Sequence, residues 1–183
     1  MFSLKVDDEL ELALPQKRHA EEITAVVREN LEQLKSWMPW VTDAYSIETA
    51  RDFIKTNLLE FAESNTFATV ILEDGKIVGT IGFHHFDSVN KSIQIGYWLD
   101  KKVQGKGIGT KCCRFLVKYA FNELEINRVQ INCNVDNIKS RAIPERLGFQ
   151  LEGIHRQVEW LNEKFHNWAV YSMLKEDWEV NKK

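Results

Sequence analysis

The residues most suggestive of chemistry form a glycine cluster near the middle of the chain. Three of the nine glycines fall within five residues, in the segment QGKGIGT at positions 104–110. A β-branched stretch precedes this segment and an apolar, helix-like stretch follows it. Glycine allows backbone N–H groups to approach a bulky anion, and a helix N-terminus adds partial positive charge. The segment therefore predicts a loop that binds a phosphate or a pyrophosphate.

Two common phosphate loops do not fit this spacing. A G-x-G-x-x-G fingerprint beginning at Gly105 would need glycine where Thr110 stands, and a P-loop would need a Gly-Lys-Ser/Thr that the segment lacks. The loop therefore indicates neither NAD nor ATP. The structural alternative is a tight connection between a strand and a helix, which one or two glycines would satisfy.

The length and charge of the chain exclude broad classes of function. A chain of 183 residues is expected to form one domain, residues 1–183. Lys and Arg total 24 against 27 for Asp and Glu, a formal net charge of -3 without the basic excess that a phosphate backbone requires. We therefore expect no direct binding of nucleic acid.

The apolar runs and the cysteines indicate a cytoplasmic protein. No apolar run approaches the ~20 residues that cross a bilayer, and the first eight residues are too acidic for a signal peptide. Cys112 and Cys113 are adjacent, which leaves only Cys133 and makes no disulfide framework or zinc spacing. We expect no membrane association and no metal. The oligomeric state stays open, with a homo-oligomer as one option.

Hydrophobic periodicity predicts the elements that must position the glycine loop. The predicted strands cover residues 3–14, 66–73, 76–86, 92–99, 128–133, 150–160 and 165–174. The predicted helices cover residues 17–35, 47–64, 107–124 and 138–147. The three strands from 66 to 99 are joined by short turns and should form an antiparallel meander. This order predicts an α+β or mixed α/β fold.

The glycine loop resembles the acetyl-CoA pyrophosphate loop of the Gcn5-related N-acetyltransferases (GNAT). That family's motif, Gln/Arg-x-x-Gly-x-Gly/Ala, is met by Gln104, Gly107 and Gly109. The segments NIKS at 137–140 and ERLGF at 145–149 look like the start and the exit of the family's next helix.

Two further segments are similar to the RimJ/RimL branch of this family, which acetylates the N-termini of ribosomal proteins. They are WMPW at 37–40 and YSML at 171–174, and the resemblance covers essentially the whole chain. It implies a GNAT fold, in which a single, mostly antiparallel sheet has a splayed strand pair and flanking helices. The pantetheine arm of acetyl-CoA should lie between the splayed strands, 92–99 and 128–133. The implied cofactor-binding residues are Leu99, Gln104, Gly105, Lys106, Gly107, Gly109, Thr110 and Asn137.

The resemblance implies direct transfer of acetyl from acetyl-CoA to an amine. The departing thiolate needs a proton, which many relatives supply from a tyrosine four residues before the Gly-Phe pair. Pro144 stands there, so the resemblance implies Ser140 as the acid, since the branch keeps a serine one turn into this helix. The structural alternatives are a helix N-cap for Asn137 and an ordinary first-turn residue for Ser140.

The base that accepts the amine proton is left open. Relatives often carry Glu where this chain has Gln94, which cannot accept a proton usefully. The candidates are His84, His85, or Glu159 acting through water. Because alternate strand positions face opposite ways, only one of the two histidines should face the site.

The acceptor side carries aromatic residues. Trp37 and Trp40 should line the acceptor entrance or else cap the core, and Asn167 replaces an Asp that is common in the branch. The favoured acceptor is a protein N-terminus, and a ribosomal protein would suit the branch. A polyamine or another small amine is the alternative, and a non-catalytic acyl-CoA sensor is an alternative of another class. Cys133 should border the cofactor thiol, as a small buried residue or one that can form a disulfide with CoA.

Overall fold

The computed structural model describes residues 3–64 and 66–180. The strands are β1 (Ser3–Lys5), β2 (Leu10–Ala13), β3 (Phe67–Glu73), β4 (Lys76–Asp87), β5 (Ser92–Leu99), β6 (Arg128–Asn134), β7 (Gln150–Leu161) and β8 (Lys164–Leu174). The helices are α1 (Ala20–Glu29), α2 (Leu31–Lys35), α3 (Ile47–Ser64), α4 (Ile108–Asn122), α5 (Ile138–Leu147) and α6 (Lys175–Val180). One sheet contains the strands in the order β1-β2-β3-β4-β5-β6-β8-β7. The predicted mixed α/β fold is confirmed.

The sheet is antiparallel at both ends, and β5 and β6 form a parallel pair within it. β2 pairs antiparallel with β1 and β3, and β8 pairs antiparallel with β6 and β7. β5 and β6 pair in parallel, with Ser92 opposite Arg128 and Gln94 opposite Gln130. Among the described residues this pairing stops at Gln94, while β5 runs on to Leu99. A strand pair that separates in this way agrees with the expected splayed pair.

Contacts divide the chain into two compact units. The first unit contains residues 1–82 and 97–112, and the second contains residues 83–96 and 113–183. The chain passes from one unit to the other within β4, β5 and α4. A core cluster of the first unit includes Ile23, Val27, Ile54, Val70 and Trp98. The single domain expected for residues 1–183 stays a prediction.

Residues 3–14, predicted as one strand, form a hairpin of two strands. The prediction of a single continuous strand is therefore wrong. Asp7 Oδ1 accepts hydrogen bonds from the N–H groups of Glu9 and Leu10, at 3.1 and 2.9 Å. An aspartate that binds backbone N–H groups two and three residues on favours a turn. Leu4 therefore pairs with Leu12 across the hairpin instead of lying on the same strand.

The helix predicted over 17–35 is divided at Asn30. A 3₁₀ turn covers Lys17–His19, α1 and α2 follow, and Asn30 lies between the two α-helices. The buried Asn30 side chain donates to Asp100 Oδ1 at 3.1 Å and accepts from the N–H of Lys101 at 2.9 Å. These hydrogen bonds tie the helix break to the segment that leads into the glycine loop.

The C-terminal helix α6 was not predicted from the sequence. It follows β8 directly, and the N–H of Leu174 donates to Asp177 Oδ2 at its start, at 3.2 Å. Trp178 is buried. Within residues 3–64 and 66–180, no helix combines the length and the apolar character needed to cross a membrane.

Candidate active site

The predicted pyrophosphate loop belongs to the first unit and connects β5 to α4. Gly105 and Gly107 have φ values of +82° and +83°, and a Cβ built on either would contact no atom within 4 Å. Glycine is therefore required by the left-handed backbone conformation and not by crowding. Both residues are exposed. The loop has open space on its outer side, where a bulky anion can approach the backbone.

Helix α4 begins inside this loop. Its first i to i−4 hydrogen bond runs from the N–H of Lys111 to the carbonyl of Gly107, at 3.0 Å. The N–H groups of residues 108–110 therefore precede the helical ladder, where the helix dipole favours negative charge. The exposed Lys106 adds a cation, with Nζ 3.9 Å from Glu73 Oε1. This arrangement suits a pyrophosphate.

Gln104 has a structural role within the same loop. Its Nε2 donates to the carbonyl of Leu99 at 3.2 Å. Asp100 caps the 3₁₀ turn at Lys101–Val103 by accepting from the N–H of Lys102 at 3.0 Å. The side chain of Gln104 thus connects the two ends of the segment 99–104, which precedes the glycines. The carbonyl of Leu99, expected to meet the pantetheine arm, already accepts one hydrogen bond.

The two tryptophans predicted at the acceptor entrance lie in the first unit. Trp40 is 45% exposed, and its ring lies 6.3 Å from that of Trp98 and 5.9 Å from that of Tyr45. Trp37 is half-buried, and its backbone N–H donates to the carbonyl of Leu34 at 3.0 Å. Trp98 was missed by the sequence reasoning. The role of the tryptophans in acceptor binding stays a prediction.

The start of α5, in the second unit, carries the remaining predicted residues. The helix covers Ile138–Leu147 as predicted and ends at Gly148, whose φ is 82°. Asn137 caps it, because its Oδ1 accepts from the N–H of Ser140 at 3.1 Å. The N-cap interpretation of Asn137 is therefore confirmed. The cap engages Oδ1, and the Nδ2 of the same amide is the atom suited to a cofactor contact.

Ser140 and Cys133 contact each other through their side chains. Ser140 Oγ and Cys133 Sγ lie 3.3 Å apart. Ser140 is half-buried and Cys133 is buried. Cys112 and Cys113 are fully buried, as predicted for core residues, and burial raises the pKa of the Cys112 thiol to about 12. Cys133 is therefore the cysteine placed beside the proposed acid.

A buried tyrosine holds α5 despite its internal proline. Pro144 has no N–H and removes one hydrogen bond from the helix. Tyr171 on β8 donates from its hydroxyl to Glu145 Oε1 at 2.6 Å and accepts from Arg141 Nε at 2.9 Å. Burial, followed by the hydrogen bond to Glu145, raises the pKa of Tyr171, so its hydroxyl stays protonated. Sequence reasoning missed this network.

One face of the sheet in the second unit is polar, and we call it the amide face. Asn132 Nδ2 donates to Gln94 Oε1 at 3.3 Å, and Asn134 lies two residues further along β6, on the same side. His84 shares this face. A Cβ built on Gly96, two residues after Gln94, would lie 3.0 Å from the His84 ring. The alternation of polar residues along β6 was a signal that sequence reasoning did not use.

The three candidate bases are placed differently. His84 and His85 are both exposed, and His85 has a φ of 51°. His85 lies within the continuous strand β4, and the expectation that only one of the two histidines faces the site stays a prediction. Glu159 on β7 accepts from Trp168 Nε1 at 3.1 Å. Contacts within the second unit therefore place His84 on the amide face, while Glu159 is engaged by an indole.

Asn167 contributes to the irregular pairing of β7 with β8. Its Oδ1 accepts from the N–H of Gln157 at 2.8 Å, within a register shift between His155 and Glu159. Gln157 has a φ of 54°. Asn167 thus stabilises a bulge through its own side chain.

A mixed sheet with a glycine loop at the start of a helix is the arrangement expected of an acetyl-CoA-dependent transferase. The family model of the acetyltransferase (GNAT) domain matches residues 9–150, and the chain belongs to this family. It is an N-acetyltransferase, which transfers acetyl from its co-substrate acetyl-CoA to an amine.

Three relatives show the nature of this similarity. YdaF of Bacillus subtilis (strain 168), provisionally named a ribosomal N-acetyltransferase, is 39% identical over 183 residues, 100% of both chains. The structure of RimL, a ribosomal-protein α-N-acetyltransferase with coenzyme A in a disulfide with a cysteine, has a TM-score of 0.91 at 28% identity and covers 96% of this chain and 99% of that chain. The structure of MccE, a microcin self-immunity acetyltransferase in complex with acetyl-CoA and AMP, has a TM-score of 0.88 at 32% identity, with coverages of 93% and 95%.

Proposed function

We propose that this N-acetyltransferase acetylates the N-terminal α-amine of a protein, with a ribosomal protein as the acceptor. The observation that carries the proposal is the amide of Gln94, which is hydrogen-bonded to Asn132 on the amide face and occupies a position where a carboxylate could act as a base. The naming of YdaF and RimL for ribosomal-protein acetylation supports the same acceptor. A ribosomal acceptor would require the enzyme to work in the cytoplasm.

An amide at position 94 suits an α-amine acceptor better than a lysine side chain. Attack on a thioester requires a neutral amine, and the pKa is about 7.8 for an α-amine and about 10.4 for lysine. Deprotonation at the same pH therefore costs roughly 3.5 kcal/mol more for lysine. A lysine or polyamine acetyltransferase must offset this difference, commonly with a carboxylate. Gln94 cannot supply that charge.

In the proposed reaction the amine nitrogen attacks the thioester carbon, and the carbon–sulfur bond breaks. Ser140 gives its hydroxyl proton to the departing CoA thiolate, and the resulting alkoxide is reprotonated from water. His84 takes the proton that the amine loses, because it lies on the amide face. Residues 105–110 bind the pyrophosphate through their backbone N–H groups, and Asn137 Nδ2 binds the pantetheine arm.

Adjacent histidines provide a matched test of the base. His84→Gln should reduce kcat, whereas His85→Gln should reduce it less, because His84 is the histidine whose ring lies beside Gly96, on the face of Gln94. Initial rates at saturating acetyl-CoA would measure both. Equal losses in the two variants, or none, would exclude His84 as the base and leave Glu159 or water.

Cys133 provides a test of where the CoA sulfur lies. RimL was solved with coenzyme A in a disulfide with a cysteine. We propose that the CoA sulfur lies beside Cys133 here, next to Ser140. The Cys133 thiolate should attack CoA disulfide, which gives one mixed disulfide and releases one CoA thiol. Intact-mass and peptide mass spectrometry should find this adduct at Cys133 and not at Cys112 or Cys113, and an unlabelled Cys133 would contradict the placement.

The acceptor class is tested with a panel of amines. Purified protein and acetyl-CoA would be incubated with peptides copying ribosomal-protein N-termini, with polyamines, and with lysine peptides whose N-termini are blocked. We expect the highest kcat/KM on free N-terminal peptides. Activity on polyamines alone would overturn the proposed acceptor. Acetyl-CoA binding without transfer to any amine would instead support the sensor alternative.

A further inference from the structure

Asn134 presents a buried hydrogen-bond donor at the end of β6. The residue is 7% exposed, and its Nδ2 has no hydrogen-bond partner in the protein. Its Oδ1 accepts from the N–H of Asp136 at 3.0 Å, which fixes the orientation of the amide and leaves Nδ2 as the unpaired donor. An unsatisfied buried donor costs about 1–3 kcal/mol. Such a group calls for an explanation in terms of what it binds.

Asn132 presents a matching acceptor on the same face. Its Nδ2 donates to Gln94, and its buried Oδ1 has no partner in the protein. Residues two apart on a strand lie about 6.6 Å from each other along it. The amide face therefore presents one acceptor and then one donor, separated by two residues of extended chain.

The backbone around this pair is held in place. The carbonyl of Asn134 accepts from the N–H of Asn137 at 3.0 Å, which joins it to the cap of α5. Asn134 pairs across the sheet with Trp168, whose indole N–H is already engaged by Glu159. The unpaired amide atoms are thus fixed before a ligand arrives, which favours specific binding.

We propose that Asn132 and Asn134 bind the extended N-terminus of a peptide acceptor, with the α-amine donating to Asn132 Oδ1 and a peptide carbonyl accepting from Asn134 Nδ2. The inference rests on the proposed function and specifies what the acceptor side recognises. A peptide offers a donor and a carbonyl within two residues. A protonated polyamine offers donors only and would leave Asn134 Nδ2 unpaired.

The variant Asn134→Asp isolates this donor. The carboxylate keeps an acceptor for the N–H of Asp136 and lacks a donor. We expect KM for an N-terminal peptide to rise about 10-fold or more, as for loss of a buried hydrogen bond. KM for acetyl-CoA should not change. Asn122→Asp, at the exposed end of α4, is the control for added charge. Asn134→Ser, whose hydroxyl can accept from Asp136, substitutes if Asn134→Asp fails to fold.

A second arm changes the acceptor instead of the enzyme. Two peptides would be prepared, one with a methylene in place of the first peptide carbonyl and one with a methylene in place of the second. With the wild-type enzyme, one of the two should have a lower kcat/KM than the unmodified peptide. The same replacement should cost Asn134→Asp little further activity. A penalty that persists undiminished in the variant, or an unchanged peptide KM, would overturn the inference. A wild-type enzyme that acetylates no peptide would instead overturn the proposed function.

Discussion

The helices α4 and α5 both begin after a strand, yet their N-termini are built in opposite ways. At α5 the side chain of Asn137 accepts from the N–H of Ser140. At α4 the preceding residues include Gly105 and Gly107, which have no side chain to do this and whose surroundings are open. At α5 a side chain of the protein caps the helix, whereas at α4 we propose that the pyrophosphate of acetyl-CoA takes this place.

The difference between the two helix starts separates residues that stabilise the fold from residues proposed to bind acetyl-CoA. The first N–H groups of any helix lack partners within it, so a side chain, water or a ligand must satisfy them. The cap at α5 stabilises the helix and fixes the position of Ser140. The glycines at α4 allow close approach of an anion instead. Substitutions at α5 should therefore affect stability, catalysis and the cofactor contact of Asn137, whereas those at α4 should affect mainly acetyl-CoA affinity.

The largest effect should come from Ser140→Ala. General acid catalysis contributes about 100-fold or more, so we expect kcat to fall by that factor. The affinity for acetyl-CoA should not change, because the backbone N–H of residue 140 still reaches the Asn137 cap. Steady-state rates and calorimetric titration with acetyl-CoA would measure the two quantities.

The control for Ser140 is Ser36→Ala, an exposed serine whose hydroxyl donates to the carbonyl of Glu32. It should retain the wild-type kcat. A Ser140→Ala variant with full kcat would contradict the role of Ser140 as the acid. The start of α5 would then have a structural role and no role in proton transfer.

A pair of glycines tests the α4 side of the comparison. Gly107 and Gly75 have φ values of +83° and +76°, and a Cβ at either would contact nothing within 4 Å. Alanine at such a φ costs about 1–2 kcal/mol, so Gly107→Ala and Gly75→Ala should lower the Tm similarly. Only Gly107→Ala should also weaken acetyl-CoA binding, by about 10-fold if that strain opposes the bound loop conformation.

Thermal denaturation and titration with acetyl-CoA would separate the two glycine effects. Similar losses of affinity in both variants would mean that the affinity reports general destabilisation. In that case the α4 loop would have no special role in binding the pyrophosphate.

Asn137 tests whether the cap and the cofactor contact can be separated. Asn137→Ala should lower the free energy of unfolding by about 1 kcal/mol, whereas Asn137→Asp should retain it, because aspartate is an equally good N-cap. Both variants lose Nδ2, so both should raise the KM for acetyl-CoA. Urea denaturation and initial rates would measure these effects, and an unchanged KM in Asn137→Asp would limit Asn137 to capping.

Short stretches of sequence were sufficient to predict the helix α5 and the glycine loop before α4. The bounds of α5 followed from its periodicity between Asn137 and Gly148, and the glycine loop followed from the residues between a strand and a helix. Both depend on interactions within a few residues of chain. The family resemblance identified the cofactor, which spacing alone limited to a phosphate.

Long-range hydrogen bonds account for what the sequence did not reveal. Asn30 divides a helix because it binds Asp100 and Lys101, which lie some seventy positions away. Tyr171 supports α5 from β8 in the same manner. Helical periodicity cannot reveal hydrogen-bond partners that are distant in the sequence, since it depends only on residues three or four positions apart. The donor of Asn134 likewise became evident only from its burial.

The smallest effect in this comparison should come from Lys106→Gln in the α4 loop. Lys106 is exposed and its partner Glu73 lies 3.9 Å away, so its interaction with a pyrophosphate is screened by solvent. An exposed charge pair contributes up to about 1 kcal/mol, which predicts a rise in the Kd for acetyl-CoA of up to about 5-fold at low salt. The difference from wild type should shrink as salt shortens the Debye length. Lys118→Gln, an exposed lysine further along α4, should leave the Kd unchanged. A loss that is equally large at high salt would mean that Lys106 shapes the loop and does not act through its charge.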